Sequence, residues 1–371
     1  MAMVFLLLNL GYALLLIYYS RGWKMAIRNV PGNLSDNELP HVSVLLPVRN
    51  ESENISSFIQ SLQSQNFPAE KVEWIVVDDH SEDDTWKKLS LLNDPRLKIV
   101  RLQDAARQGK KAALTAGVHA ATSEWIITGD ADCKMTENWI RALVTKGVAA
   151  DAMMVCGLVK VEDEGRAITA FQAMETAVLQ SCGAGSLQNG FPLLNTGASL
   201  AFRKSAWLKA DGYRQQQHIA SGDDTFLMLS FNSFFPEKVV PLVVPDAVVS
   251  TRPMQTVMDV IQQRLRWNGK VKHYPVGYIH FVGLLVMGAA IAFVCAFFQF
   301  IIDRSTVATF GLVFLLRFIA EWILLRNWGK LTNQFFSLYE IVLMSFFYPL
   351  FTLFSLIIRP FVNNSWKGRK L

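Results

Sequence analysis

The sequence predicts an α/β domain, a parallel, doubly wound sheet flanked by helices, carried between apolar helices near the two ends of the chain. Three observations predict it. Short buried-strand patterns alternate with helical stretches across residues 41–250. Two of those strands run straight into carboxylates, Asp78-Asp79 and Asp130-Ala131-Asp132. The chain is 51% hydrophobic with a mean hydropathy of +0.24. That is too apolar for an ordinary soluble enzyme, and the excess lies toward the two ends, which points to membrane segments.

Val4 to Tyr19 form a nearly unbroken apolar run with no Lys or Arg before it and Arg21, Lys24 and Arg28 after it. A secretory signal peptide would carry its charges before the run and a small-residue cleavage site after it. The run therefore reads as an uncleaved anchor over residues 1–20, extended by Met3 and Ser20. The charge bias puts its N-terminus outside and the following chain in the cytoplasm, at the inner membrane. Residues 21–40 form a linker, rich in Pro, Gly, Asn and Asp from Asn29 onward.

The domain over 41–250 opens with the strand Val42 to Leu46, which leads into Pro47-Val48-Arg49-Asn50-Glu51. A helix over Glu53 to Gln65 follows, then the strand Trp74 to Val77, ending in Asp78-Asp79-His80-Ser81. The strand Leu97 to Leu102 precedes Gly109-Lys110-Lys111 and an Ala-rich helix. The strand Trp125 to Thr128 then delivers Asp130 and Asp132. Beyond it, Met153 to Val161 reads as one strand, Ile168 to Gln180 as an amphipathic helix and Cys182 to Gly190 as a flexible Gly-rich loop. Asn195 to Arg203 reads as a strand with Ser205 capping the next helix, and Gly222-Asp223-Asp224-Thr225 opens another.

Residues 251–275 carry a basic amphipathic helix suited to the membrane surface. On it Gln263, Arg266 and Trp267 stand at i, i+3 and i+4 and share a face. Residues 276–358 hold the spans Val276 to Ile302, Val307 to Leu325 and Phe335 to Ile358, the last interrupted at Pro349. Arg317 and Glu321, four residues apart, read as a structural ion pair within the second. The tail, 359–371, is basic; three spans would leave it outside, against the positive-inside tendency. Either the Pro349 segment is re-entrant or interfacial, or the rule is broken here.

The net charge of +5 implies no nucleic-acid partner, since much of the Lys and Arg flanks apolar segments where anionic lipid attracts it. Cys133, Cys156, Cys182 and Cys295 lie far apart without C-x-x-C spacing, as free thiols do in a reducing cytosol.

The chemistry centres on Asp130 and Asp132. Side chains alternate along extended chain, so the two carboxylates can point the same way around Ala131. Such a pair supplies hard oxygen ligands for Mg²⁺ or Mn²⁺ held jointly with substrate phosphates. Alone, it also fits an ordinary turn that favours Asp and Gly.

Five motifs, in order, resemble the membrane-bound family 2 glycosyltransferases of the GT-A fold, which implies a Rossmann-like mixed sheet flanked by helices. That branch includes ceramide and carotenoid glucosyltransferases and chitooligosaccharide and cellulose synthases. The motifs are Val44 to Glu51, Val77 to Ser81, Asp130 to Asp132, Gly222-Asp223-Asp224 and the Q-x-x-R-W of Gln263 to Trp267. The resemblance implies an inverting transfer from a nucleotide-diphosphate sugar, a UDP-sugar, to a membrane lipid or lipid-linked acceptor. It implies Asp224 as the base, although Asp223 replaces the family's usual Glu. It also implies Asp79 on the uracil ring, and Pro47, Arg49 and Glu51 lining the nucleotide pocket. Lys110 and Asp130 would face the diphosphate, Asp130 and Asp132 would hold the divalent cation, and Gln263, Arg266 and Trp267 would close over the diphosphate and acceptor entrance. The alternative is a processive or oligomer-forming polysaccharide synthase making a β-linked glucose or N-acetylglucosamine chain, since Q-x-x-R-W is common there. A metal-dependent phosphatase would need a hydroxyl or small apolar residue where Lys134 stands.

Overall fold

The computed structural model of the protein describes residues 1–30, 32, 34–104, 108–214, 222–270, 273–358, 365–366 and 369–370. The elements begin with α1 (Ala2–Arg28), β1 (Val42–Val48), α2 (Ile55–Gln63), β2 (Val72–Asp78), α3 (Thr85–Ser90), β3 (Leu97–Arg101), α4 (Lys110–Ala120) and β4 (Trp125–Thr128). They continue with β5 (Cys133–Lys134), α5 (Trp139–Ala149), β6 (Met154–Cys156), β7 (Leu158–Val161), α6 (Ala167–Gln188), β8 (Leu200–Arg203), α7 (Lys204–Lys209) and α8 (Asp223–Phe234). The last are β9 (Val239–Pro241), β10 (Val248–Thr251), α9 (Val257–Lys270), α10 (Gly277–Ile302), α11 (Val307–Thr332), α12 (Leu338–Ile358), β11 (Ser365–Trp366) and β12 (Arg369–Lys370). The chain divides into two compact units, one of residues 24–162 and 186–252, the other of 1–23, 163–185 and 253–371.

The first unit is built on a sheet of order β3-β2-β1-β4-β8-β6-β9. The strands from β3 to β4 are mutually parallel, β8 runs antiparallel to both β4 and β6, and β9 is parallel to β6. The sheet is therefore mixed, as the GT-A resemblance implies; the alternation of strands and helices alone predicts a parallel one, and the antiparallel β8 corrects that. β1 and β4 are apolar and buried over nearly their whole length, which suits strands covered on both faces. Val44, Leu46, Trp74, Val76, Ile127 and Trp139 belong to one core cluster. The Trp139 indole N–H donates to Ser199 Oγ at 3.0 Å, satisfying the polar edge of a fully buried ring. A smaller sheet of order β5-β10-β7 lies in the same unit.

Three expectations for this part of the chain are corrected. Residues 153–161 form two strands in different sheets, with the break at Gly157. A Cβ there would lie 2.1 Å from Ser199 Oγ, so the chain turns where only a residue without a side chain fits. An unbroken apolar run carries no mark of such a break. Ser205 is not the cap of α7, because the helix starts at Lys204 after Arg203; Ser205 Oγ instead donates to the Glu124 carboxylate. The third concerns residues 182–190, whose first part continues α6 as helix.

In the second unit Gly185 of α6 serves close approach, not flexibility. A Cβ on Gly185 would fall 2.1 Å from the Tyr19 carbonyl oxygen of α1, so a side chain there would force the helices apart. The helices α1, α10, α11 (with the turn before it) and α12 are each long and apolar enough to cross a membrane. α1 runs on to Arg28, past the anchor boundary that hydropathy suggests. Pro349 lies buried inside a continuous α12, so the predicted interruption is not a break in the helix. Arg317 and Glu321 are each 2% exposed and pair at 3.2 Å. Glu321 also accepts from Tyr12 Oη at 2.9 Å and Ser345 Oγ at 2.6 Å, while the guanidinium lies 4.3 Å from the Tyr12 ring centroid. The predicted ion pair is thus met by partners from two further helices, α1 and α12. Among the described residues all four cysteines are free, and Cys133, Cys156 and Cys182 are buried. Of the basic tail, Ser365–Trp366 pairs with Arg369–Lys370; Lys367 and Gly368 lie outside the described residues.

Candidate active site

The neighbouring parallel strands β2, β1 and β4 end at Asp78, Val48 and Thr128, and Asp79, Arg49, Glu51, Asp130 and Asp132 follow those ends. This is where ligands bind in open α/β sheets. Pro47 sits in β1 opposite Val77, but β4 pairs only with Val42 to Leu45. On that side Pro47 lies past the ladder, so its missing N–H breaks no strand pairing.

The loops after β1 and β2 are bound together by Arg49. Its Nη1 donates to the carbonyls of Asp79 and His80, both at 2.9 Å, and its Nη2 donates to Glu82 at 2.9 Å. The side chain is 5% exposed, and only a planar fork can serve three acceptors in this way. Asn50 and His80 both adopt left-handed backbone, at φ 51° and 57°. Asp79 is buried; its Oδ2 accepts from the Gly109 N–H at 3.0 Å and its Oδ1 lies 3.1 Å from His80 Nδ1. Glu51 is also buried. Its main-chain N–H donates to Thr85 Oγ1 at 2.8 Å and its carboxylate accepts from Asn54 Nδ2 at 2.8 Å.

Gly109 joins this group to the next one. At φ 97° it turns the chain into α4, whose first residue is Lys110. Lys110 Nζ lies 2.7 Å from Asp130 Oδ1 and 3.5 Å from Asp223 Oδ2. Burial alone would lower its pKa, but Asp130, Asp223 and Asp224 outweigh that and hold it well above the ordinary 10.5. The proton, and with it the stabilising charge, is therefore kept below that ordinary value and lost only at still higher pH. Burial pushes the Asp130 carboxyl up; Lys110 opposes this, while Asp132 and Asp223 add to it. Asp132 is exposed on the turn.

Asp223 and Asp224 open α8, behind Gly222 in left-handed conformation at φ 84°. Asp224 Oδ1 accepts from the Thr225 N–H at 2.6 Å. Gly197 passes close beneath the cluster. A Cβ on it would stand 3.2 Å from both Lys110 Nζ and Asp223 Oδ2. Its carbonyl accepts from Thr128 Oγ1 at 3.1 Å, and two residues earlier the Asn195 N–H donates to Thr225 Oγ1 at 3.3 Å.

The structure thus brings Lys110, Asp130, Asp223 and Asp224 into one electrostatic cluster, with Asp132 on the adjoining turn. Arg49, Glu51 and Asp79 form a neighbouring group reached through Gly109. Gln263, Arg266 and Trp267 lie on α9 in the other unit. On that helix the buried basic residue is Arg264, whose Nη2 meets Glu175 at 2.8 Å and Tyr348 Oη at 2.5 Å. Sequence reasoning singled out neither Gly197, Tyr213 nor Arg264. Tyr213 is buried, and Asp223 adds to the upward pKa shift that burial gives it. Gly197 and Tyr213 carry no motif; only the fold brings them to the acids.

Among the described residues no group of three or more His, Cys, Asp or Glu side chains is placed to share a metal ion. Asp130 and Asp132 offer two carboxylates with one of them open to solvent. That donor set fits Mg²⁺ or Mn²⁺, which bind through one or two carboxylates and complete their shell with substrate phosphates and water.

Over 102 residues the chain is 32% identical to "Glycosyltransferase AglE" of Haloferax volcanii, covering 28% of this chain and 34% of that one. Over 115 residues it is 30% identical to "Beta-monoglucosyldiacylglycerol synthase" of Synechocystis, covering 30% and 24%. The chain thus spans about a third and a quarter of these relatives' lengths. The solved structure "Mannosyltransferase PcManGT from Pyrobaculum calidifontis in complex with GDP-Man and Mn2+" matches 97% of this chain and 98% of its own at a TM-score of 0.62 and 16% identity. At that identity the match shows a shared GT-A-like fold. The family described as Glycosyl transferase family 2 matches residues 43–207, the stretch that holds Arg49, Asp79, Lys110, Asp130 and Asp132, and the chain therefore carries a family 2 glycosyltransferase domain.

Proposed function

We propose that the protein transfers a sugar from a nucleotide-diphosphate sugar, with uracil as the base, to a lipid or lipid-linked acceptor at the cytoplasmic face of the membrane. The observation that carries this reading is the contact of Lys110 with Asp130 and Asp223 past the end of β4. Sugar transfer needs the departing diphosphate neutralised and the acceptor hydroxyl deprotonated; Lys110 offers the first, and Asp224, next to Asp223 at the start of α8, offers the second. Asp130 and Asp132 would hold a divalent cation, which supplies charge neutralisation on the diphosphate when bound. Lys110 is the protein's own cation for that charge, and Gly197 leaves room for it.

Asp224 takes the proton from the acceptor hydroxyl, which attacks the anomeric carbon from the side opposite the diphosphate and inverts it. Asp223, already paired with Lys110, orients the phosphate side of the site. Asp79, braced by Gly109 and the Arg49 fork, receives the base, and Pro47, Arg49 and Glu51 shape its pocket. The family resemblance assigns Gln263, Arg266 and Trp267 to the diphosphate and acceptor entrance. The four membrane-length helices and the lipid named in one relative support a lipid acceptor.

The alternative product is a polysaccharide chain. The test is a panel of radiolabelled UDP-sugars and GDP-mannose given to membranes containing the protein. A product of one added sugar that extracts into organic solvent supports the reading. A ladder of polymer on a gel would replace it with the synthase.

A further inference from the structure

We propose that His80 is a positioning residue for the donor nucleotide, acting through Asp79. The inference deepens the proposed function and rests on its assignment of Asp79 to the donor's base. Three observations carry it. His80 occupies left-handed backbone at φ 57°, a conformation that glycine takes without steric cost, so a bulky ring there calls for a reason. That ring is spent on Asp79: Nδ1 lies 3.1 Å from Asp79 Oδ1, while Oδ2 is held from the other side by the Gly109 N–H at 3.0 Å. The remaining ring nitrogen, Nε2, is buried and meets no hydrogen-bond partner among the described residues.

The backbone around this contact is fixed as well. Arg49 Nη1 grips the carbonyls of both Asp79 and His80 at 2.9 Å, and Ser81 Oγ accepts from the Asn50 N–H at 3.0 Å. The carboxylate of Asp79 is thus clamped between a main-chain donor and an imidazole and offered in one orientation. A free carboxylate would have to lose rotamer freedom on binding; a clamped one has lost it already. The ring nitrogen's contact is with Asp79, so its effect falls on donor affinity.

The test uses His80→Gly and His80→Asn in the full-length, membrane-embedded protein. Glycine suits the left-handed backbone, so the first variant folds without the strain and retains its thermal midpoint. Asparagine tolerates the same backbone and keeps a polar side chain beside Asp79. Binding is measured with UDP, GDP, ADP, CDP and dTDP, and donor KM beside kcat. The expected result is an affinity for the bound nucleotide about tenfold weaker in His80→Gly and partly restored in His80→Asn. The loss appears in donor KM. In an Asp79→Asn background His80→Gly adds little, because the ring's target is already gone. Unchanged affinity in His80→Gly overturns the proposal, and so do losses that simply add in the double variant. Binding of a nucleotide other than UDP refutes the uracil assignment alone and leaves His80 tested with that nucleotide. A parent that binds no nucleoside diphosphate refutes both.

Discussion

Gly197 closes on Lys110: a Cβ added to the glycine would stand 3.2 Å from the ammonium nitrogen and equally close to Asp223 Oδ2. Both atoms end side chains that can give way, so Gly197→Ala should move the site rather than break the fold. Small displacements of reacting groups are costly in rate, up to about a hundredfold for an ångström. Gly197→Ala is expected to slow sugar transfer by roughly tenfold or more. Its unfolding midpoint should stay near the parent's. A variant that unfolds early, or one with full activity, contradicts this placement.

Arg49→Lys should expose the difference between a fork and a point charge. Lys cannot serve the carbonyls of Asp79 and His80 together with Glu82. The lost charge-assisted bonds are worth about 2 kcal/mol of stability, with weaker nucleotide binding beside it. Chemical denaturation and UDP titration on the same preparation measure the two effects.

Asp132→Asn separates the metal from the scaffold. Asp132 is exposed on its turn, so the substitution leaves folding unchanged. It should abolish the part of UDP binding that depends on Mn²⁺ and reduce transfer with it. UDP titrations with and without Mn²⁺ read this directly; a mutant whose binding still responds normally to Mn²⁺ contradicts the ligand assignment.

The Arg317–Glu321 pair makes a prediction about stability alone. Removing one partner leaves the other charge buried at 2% exposure, a loss of about 3–5 kcal/mol. Arg317→Met or Glu321→Gln should therefore lower the unfolding temperature in detergent by more than the double replacement Arg317→Met with Glu321→Met. Additive losses would show that the pair is not coupled.

The sequence made some of this legible and not the rest, for physical reasons. β1, β2 and β4 were readable because a strand buried on both faces is an unbroken apolar run, and the acids past their ends marked the site. The helical nature of residues 182–188 was not, because glycine signals flexibility and close helix contact with the same letter; Tyr19 above Gly185 decides between them. The division of residues 153–161 at Gly157 depends on Ser199, more than forty residues away in the chain. Arg264 hid beside Arg266 in one basic helix, and only Glu175 and Tyr348 mark it as the buried one. The carboxylates of Asp223 and Asp224 were visible as a pair, but their division of contacts, one toward Lys110 and one toward the Thr225 N–H, belongs to the geometry of α8.

The central claim is that Asp224 accepts the acceptor's proton in sugar transfer, and single-turnover transfer by Asp224→Asn beside its UDP affinity tests it most directly. A positioned base contributes about 10²–10⁴-fold to rate and little to donor affinity. The account predicts that Asp224→Asn binds UDP as the parent does and transfers sugar at least roughly a hundredfold more slowly, with Asp223→Asn milder. An active Asp224→Asn beside a dead Asp223→Asn would contradict it and move the base by one residue along α8.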